Sequence, residues 1–247
     1  MRHYAGTLEQ LATVEPPDPE RDGLMPALLR QWDRMKPELT AAGMPPRMAA
    51  ARGPMAVASH LVGVPELLLA TQLQPEITAT VLENTTEMLV RWLRAQVQRM
   101  DEPMGVLVLD DIVGMLGPAD AERFALPHLR RIFDEFPELV HVFHNDTPNA
   151  KIYPGLATVG IDVFNFSDEI EVEAARELVG PDMVLMGNLP PLDLLSRGTP
   201  EQVREATESL CAKLPEHGPV VVSAGGGVSP GTPLENIQAA VEVVDAL

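Results

Sequence analysis

Polar and acidic residues follow several hydrophobic segments of this sequence, at positions where a buried strand would end. They are Arg52, the adjacent pair Asp110 and Asp111, and the closely spaced His144 and Asp146. An imidazole and carboxylates at neighbouring strand ends are the groups that general acid–base chemistry or a divalent metal would use. The sequence therefore predicts a polar site at one rim of a sheet, with Asp110, Asp111 and His144 as candidate catalytic residues.

His144 and Asp146 lie two residues apart at the end of an extended segment, so both side chains can face the same side. This pair predicts part of a Zn or Mn site with nitrogen and oxygen ligands, above all if Asp110 or Asp111 reaches in from the next strand. A structural His–Asp hydrogen bond and a substrate-binding pair are the alternatives. Because adjacent acids cannot both face one site, we expect one of the two aspartates to cap the following loop.

Glycine-containing turns close two hydrophobic segments in the last third of the chain. One turn begins at Gly187-Asn188 and the other contains the run from Gly225 to Gly227. Glycine lets the backbone approach a ligand closely, and the first turn of a following helix offers unpaired N–H groups to an anion. Ordinary strand–helix connections are the alternative. The candidate substrate-binding residues are Arg52, Asn188, Gly225, Gly226, Gly227 and Thr232.

The composition limits the class of protein and its partners. The sequence has 18 Lys and Arg against 36 Asp and Glu, a formal net charge of −18, which disfavours binding to nucleic acid and to anionic lipid. The single cysteine, Cys211, excludes a disulfide framework and a cysteine-based metal cluster. No apolar run approaches the ~20 residues that span a bilayer, so we expect a cytoplasmic protein that does not enter a membrane.

Strand and helix patterns alternate along most of the chain. Residues 1–23 are predicted to form an extended arm, and residues 24–247 a single α/β domain. Predicted strands cover 47–53, 105–109, 139–143, 160–166, 183–186 and 219–222, and predicted helices cover 26–42, 74–99, 119–135, 150–158, 171–178, 199–214 and 232–246, with one more starting near residue 55. Thr199 and Thr232 are predicted N-caps, each followed by proline. This alternation predicts a parallel sheet, either open or closed into a barrel.

Several motifs, taken in chain order, resemble the uroporphyrinogen decarboxylase superfamily, which includes the corrinoid-dependent methyltransferases. The resemblance runs from about residue 45 to the end. It rests on Ala51-Arg52-Gly53-Pro54, Leu109-Asp110-Asp111, Phe124 with Leu126-Pro127-His128-Leu129, His144-Asn145-Asp146, Gly187-Asn188-Leu189-Pro190-Pro191, Arg197-Gly198-Thr199-Pro200-Glu201-Gln202-Val203 and Gly231-Thr232-Pro233-Leu234-Glu235-Asn236-Ile237. It implies a (β/α)8 TIM-barrel-like fold with the site at the carboxyl ends of the strands. About six strands are recognisable where such a barrel has eight.

The sequence departs from the motifs of both kinds of member of that superfamily. Members that activate a thiol hold zinc with a His-x-Cys motif and a second cysteine in the terminal glycine loop, and those positions resemble His144, Asp146 and Gly226 here. Both sulfur ligands are absent, so any metal would need oxygen ligands. The decarboxylases carry Arg and Asp residues in an N-terminal segment and a histidine in the terminal loop, and this chain has neither.

Three functions follow from the resemblance and these departures. The leading one is transfer of a methyl group between a small molecule and a corrinoid protein or a thiol. The second is decarboxylation of a carboxylated tetrapyrrole or a small acid, and the third is a non-catalytic binding or regulatory barrel. An incomplete barrel would expose strand edges, so we expect rearranged N-terminal residues, a partner chain or a second copy of this chain to cover them.

Overall fold

The computed structural model describes residues 7–214 and 218–247, in which strands and helices alternate along the chain. The strands in these ranges are β1 (Met48–Arg52), β2 (Gly105–Leu109), β3 (Val140–Asn145), β4 (Val163–Phe166), β5 (Val184–Leu189) and β6 (Val220–Ala224). The α-helices are α1 (Leu8–Ala12), α2 (Met25–Ala41), α3 (Pro54–Val62), α4 (Val64–Leu73), α5 (Pro75–Val97), α6 (Pro118–Phe124), α7 (Leu126–Asp134), α8 (Tyr153–Leu156), α9 (Val172–Val179), α10 (Pro200–Lys213) and α11 (Leu234–Asp245). The predicted α/β class and the count of about six strands are confirmed.

The chain divides into two compact units, and the boundary falls between Val142 and Phe143, inside β3. The first unit contains β1, β2 and helices α1 to α7, and the second contains β4 to β6 and helices α8 to α11. A single domain over residues 24–247 therefore stays a prediction.

Strands β1 and β2 of the first unit pair in parallel, from Met48 opposite Gly105 to Arg52 opposite Leu109. The long helix α5 packs on β1 and contributes a buried apolar stripe that includes Leu82, Leu89 and Leu93. The amide of Gln96, also on α5, accepts a hydrogen bond from the Ala50 N–H at 3.1 Å and donates one to the Ala50 carbonyl at 3.0 Å. This side chain therefore satisfies a pair of β1 backbone groups that a neighbouring strand would otherwise bond.

The N-terminal arm differs from the predicted extended segment. Residues 8–12 form a short helix because Thr7 and Gln10 make a capping box, in which each side chain bonds to the other's backbone N–H. Asn84 on α5 donates to the carbonyls of Ala12 and Val14 at 3.1 and 3.2 Å. The prolines at positions 16, 17 and 19 disfavour a helix later in the arm, and they led to the prediction of an extended segment. The capping box at Thr7 is a separate signal that starts a helix before them. Residues 1–6 of the predicted arm lie outside the described residues.

Strands β4, β5 and β6 of the second unit are parallel to one another, with Val163 opposite Val184 and Leu185 opposite Val220. Aromatic side chains fill the core beside them, where Tyr153 meets the Phe164 ring edge-on at a centroid distance of 4.9 Å. Each of these strands is a short apolar run in the sequence, which is why the sequence located them.

Two predicted helices differ from the structure. The predicted helix 119–135 is two helices, α6 and α7, because Leu126-Pro127 begins a new helix at a proline suited to the first turn. The predicted N-cap at Thr232 is wrong, because α11 begins at Leu234 and its N-cap is Pro233. The Thr232 hydroxyl donates instead to the Ser229 carbonyl at 2.8 Å, which closes the preceding turn. The capping box at Thr199 is confirmed.

Helices α3 and α4 meet at a bend of 106°. The bend falls at Gly63, whose φ of +105° favours glycine. These two helices together have the length and composition of a membrane span, and no single helix among the described residues does.

An apolar face is exposed on the second unit. Val241 and Val244 of α11 are 51% and 40% exposed, and Val221 of β6 is 45% exposed. An open cavity of about 410 Å³ lies between these two elements and is lined mostly by aliphatic side chains. Contiguous apolar surface of this kind marks places where another polypeptide packs.

Replacing Gln96 with alanine is expected to lower the free energy of unfolding by about 1–3 kcal/mol, because the Ala50 N–H and carbonyl lose their partners. Urea denaturation followed by circular dichroism measures the change. Gln98→Ala is the matched control, since Gln98 is exposed at the end of the same helix. Equal effects of the two substitutions would show that the Gln96 hydrogen bonds to β1 do not contribute.

Candidate functional site

Asp110 follows β2 directly and is 0% exposed. Its Oδ2 accepts a hydrogen bond of 2.9 Å from the Met55 N–H in the first turn of α3. Gly53 precedes that helix, and a Cβ at position 53 would collide with the Asp110 carboxylate. Glycine is therefore required for the turn after β1 to pass so close to the end of β2.

Burial raises the pKa of Asp110 from 3.8 to about 8, because a charged carboxylate in a dry site loses its hydration. The N–H groups of Met55 and Ala56 oppose this shift, and the charge of Asp111 adds to it. Asp110 therefore carries its proton at neutral pH while it anchors the start of α3.

Asp111 lies in a different environment from its neighbour, although the two residues are adjacent. Its side chain is 30% exposed and its Oδ2 lies 3.7 Å from Arg52 Nη1, whose side chain is 54% exposed. The two aspartates therefore differ in role, with one buried against a helix start and the other beside an accessible guanidinium.

His144 lies within β3, which extends two residues beyond the predicted strand end. Its Nδ1 is 2.7 Å from Asn165 Oδ1, and its Nε2 is 3.8 Å from Asp146 Oδ2. The residue between the pair, Asn145, is buried and its Oδ1 accepts from the Thr147 N–H at 3.1 Å. The alternation of a strand therefore directs Asn145 to the loop, while His144 and Asp146 share one side as predicted.

Asn165 belongs to the arrangement around His144 although the sequence analysis did not select it. It is 6% exposed on β4 and donates from Nδ2 to the carbonyls of Met186 and Ala224 at 2.8 and 3.0 Å. The signal in the sequence is an amide inside the apolar run Val163–Phe166, since a buried polar side chain needs partners.

The glycines of the terminal loop, Gly225 to Gly227, differ in what surrounds their Cα atoms. A Cβ at Gly225 would lie 2.5 Å from the Asp168 backbone nitrogen, and one at Gly226, with φ +123°, would lie 2.8 Å from Asp146 Oδ2. Gly227 has nothing within 4 Å of its Cβ position. Gly226 therefore belongs beside the His144–Asp146 pair, and Gly227 borders open space.

Asn188 and Thr232 make backbone contacts that build turns. Asn188 lies inside β5, and its Nδ2 donates to the Ile170 carbonyl at 2.6 Å. Thr232 closes its turn through Ser229. Both side chains hold loops in place, and their binding of substrate stays a prediction.

The chain is thus a parallel α/β protein with an imidazole, carboxylates and glycine turns at the ends of its strands. The sequence profile of uroporphyrinogen decarboxylase (URO-D) matches residues 1–247, and the chain belongs to this family.

The similar proteins are named for two different reactions, methyl transfer and decarboxylation. A methylated-thiol–coenzyme M methyltransferase from Methanosarcina mazei is 31% identical over 227 residues, 90% of this chain and 58% of that protein. A uroporphyrinogen decarboxylase from Carboxydothermus hydrogenoformans is 29% identical over 98% of this chain and 69% of its own length. The chain thus spans less than two thirds of the methanogen protein.

The solved structure of a methyltransferase from Methanosarcina mazei superimposes on this fold with a TM-score of 0.85 at 22% identity. The match covers 100% of this chain and 71% of the other. The predicted TIM-barrel-like fold is confirmed.

The Asp110→Asn substitution is expected to change how stability depends on pH. The folded pKa of Asp110, about 8, lies above its unfolded value of 3.8, so the stability that its protonated form contributes is complete below about pH 4 and is lost as pH rises through 8. Asparagine cannot ionise. The free energy of unfolding of wild type should therefore fall relative to Asp110→Asn, by at most ~1.4 kcal/mol per pH unit between about pH 5 and 8.

Urea denaturation at several pH values measures this difference. Glu122→Gln, an exposed carboxylate on α6, serves as the control and should run parallel to wild type. A constant difference between wild type and Asp110→Asn across the range would contradict the raised pKa.

Proposed function

We propose that this chain is a methyltransferase of the uroporphyrinogen decarboxylase family, which moves a methyl group between a small molecule and a corrinoid protein or a thiol. The observation that carries the proposal is the pair formed by His144 Nε2 and Asp146 Oδ2, 3.8 Å apart beside Gly226. Methyl transfer needs a group in the protein that binds the substrate heteroatom from which, or to which, the methyl group moves. The relative named for methyl transfer to coenzyme M, at 31% identity, supports the same reaction class.

The donor atoms of this pair fit a divalent cation such as Zn²⁺ or Mn²⁺. Imidazole nitrogen and carboxylate oxygen bind such ions at ~2.0–2.2 Å, so two atoms 3.8 Å apart can share one ion. A bound ion would lower the pKa of a thiol that it holds and polarise a substrate heteroatom. His144 and Asp146 would hold the ion, and the backbone of Gly225 to Gly227 would bind an anionic part of the substrate.

Asp111 is proposed as the acid or base, because its side chain is partly exposed. In methyl transfer the heteroatom that loses the methyl group keeps the bonding electrons, so it must then gain a proton, and a carboxyl group can supply it. Asp110 is fully buried against α3 and positions the turn that carries Arg52 and Gly53. The basic Arg52 would bind a negatively charged substrate group.

The His144→Ala variant is expected to lose both metal and methyl transfer. Wild type incubated with cob(I)alamin and a methylated thiol should change the cobalt absorbance spectrum, and His144→Ala should slow that change at least 100-fold. Elemental analysis of the purified proteins should show about one divalent ion per wild-type chain and none in the variant. His60→Ala, at an exposed position on α3, is the matched control and should retain both properties.

An unchanged cobalt spectrum with a panel of methyl donors, together with no methylation of a thiol acceptor, would refute the methyltransferase proposal. Protein that is free of metal and inactive towards all donors would favour a non-catalytic binding or regulatory role.

Decarboxylation of a carboxylated tetrapyrrole or a small acid is the second candidate, and the exposed Arg52 beside Asp111 favours it. A guanidinium can bind a substrate carboxylate, and a nearby acid can protonate the carbon that loses CO₂. Release of CO₂ from uroporphyrinogen, absent in Arg52→Gln, would establish this reaction instead.

The exposed apolar face of α11 and β6 supports a further proposal, that a second copy of this chain covers it. The described N-terminal residues 7–23 already make hydrogen bonds within the first unit. The carbonyls of Ala12 and Val14 accept from Asn84, and the carbonyl of Pro16 accepts from Arg91, both on α5. A net charge of −18 opposes self-association, and the apolar area must outweigh that repulsion.

The Val244→Asp substitution is expected to convert a dimer to a monomer, because a carboxylate would be desolvated in the contact. Size-exclusion chromatography with light scattering measures the mass. Gln238→Asp adds the same charge at an exposed polar position of α11 and should leave the dimer intact. A stable wild-type monomer at micromolar concentration would contradict the proposal.

A further inference from the structure

The Asn165 side chain makes hydrogen bonds in two directions. Its Nδ2 donates to the carbonyls of Met186 and Ala224, at 2.8 and 3.0 Å. Its Oδ1 lies 2.7 Å from His144 Nδ1. The side chain is 6% exposed, so water does not compete for these contacts.

The two backbone carbonyls determine which way the amide of Asn165 faces. A carbonyl oxygen only accepts hydrogen bonds, and the two hydrogens of Nδ2 match the two acceptors. The flipped amide would place Oδ1 against both carbonyl oxygens and leave them without donors in a buried site. Oδ1 is therefore the atom that faces the imidazole.

The orientation of the amide in turn determines the tautomer of His144. Because Oδ1 can only accept, Nδ1 must carry a hydrogen to make this bond. In the neutral ring Nε2 then carries a lone pair and no hydrogen. Nε2 is also the atom near Asp146 Oδ2, at 3.8 Å, which is longer than a direct hydrogen bond and suits two ligands of one ion.

We propose that Asn165 is a positioning residue that holds His144 as the Nδ1–H tautomer, so that Nε2 presents its lone pair on the side of Asp146. The inference deepens the proposed function, since a lone pair on Nε2 is what a divalent cation would bind. An aspartate at position 165 would set a carboxylate against the two carbonyls, so the neutral amide satisfies all three partners where an acid would not.

Nitrogen-15 NMR of metal-free protein labelled at histidine reads the tautomer directly. At a pH where the ring is neutral, His144 in wild type should show a protonated Nδ1 and an unprotonated Nε2. Asn165→Leu should shift the ring towards the Nε2–H form or a mixture. A wild-type His144 protonated at Nε2 would overturn the inference, whether or not any variant folds.

Zn²⁺ titration followed by calorimetry supplies a second readout. Loss of a hydrogen-bond partner of a ligating histidine typically weakens metal binding ~10–100-fold, and Asn165→Leu should do the same. Asn236→Leu is the matched control, because Asn236 is a buried amide that also donates to two carbonyls, those of Leu195 and Gly198, without contacting His144.

The outcomes separate this inference from the proposed function. An Nδ1–H tautomer in a protein that binds no Zn²⁺ would support the role of Asn165 and contradict the metal site. Equal weakening by Asn165→Leu and Asn236→Leu would show that loss of packing explains the effect, which would refute the positioning role.

Discussion

The hydrogen bonds from Asn165 to the carbonyls of Met186 and Ala224 are the constraint on which the arrangement in the second unit depends. Met186 lies in β5 and Ala224 ends β6, so one side chain of β4 links three parallel strands near their carboxyl ends. The same amide contacts His144, which makes the ring orientation a consequence of the strand pairing.

The first unit positions its polar groups by a different device. Asp110 is held by the N–H groups at the start of α3, and Gly53 lets the two turns approach. Burial keeps this carboxyl group protonated, so the helix start binds a neutral acid instead of an anion. The accessible acid of the pair is therefore Asp111.

Elements with strong local signals were predictable from sequence. Strand β2 has the predicted bounds, and the start of α10 follows from the Thr199 capping box. Thr232 shows the limit of such signals. It has the same Thr-Pro sequence as Thr199, but its hydroxyl donates to the Ser229 carbonyl and closes a turn. Local propensity cannot decide whether a threonine hydroxyl accepts from a helix N–H or donates to a loop carbonyl, because the second depends on how the loop folds.

The candidate site likewise has a part that the sequence predicts and a part that it does not. His144 and Asp146 share one side because a strand alternates, and that alternation is visible in the sequence. Asn165 lies 21 residues from His144, and its partners are backbone carbonyls still further along the chain. Contacts that depend on the register of β4 against β5 and β6 require the three-dimensional structure.

The geometry also links the two departures from the thiol-activating members that this sequence resembles. Those members are expected to have sulfur ligands at the positions of Asp146 and Gly226. A Cβ at Gly226 would lie 2.8 Å from Asp146 Oδ2, so any larger side chain at 226 would occupy the space that the carboxylate fills. In this chain, an aspartate at 146 in this conformation therefore leaves room only for a glycine at 226. In the proposed metal site, one hard oxygen would therefore stand where those members have two soft ligands, a set that would suit cations of the Zn²⁺ and Mn²⁺ kind better than a thiolate-rich zinc centre.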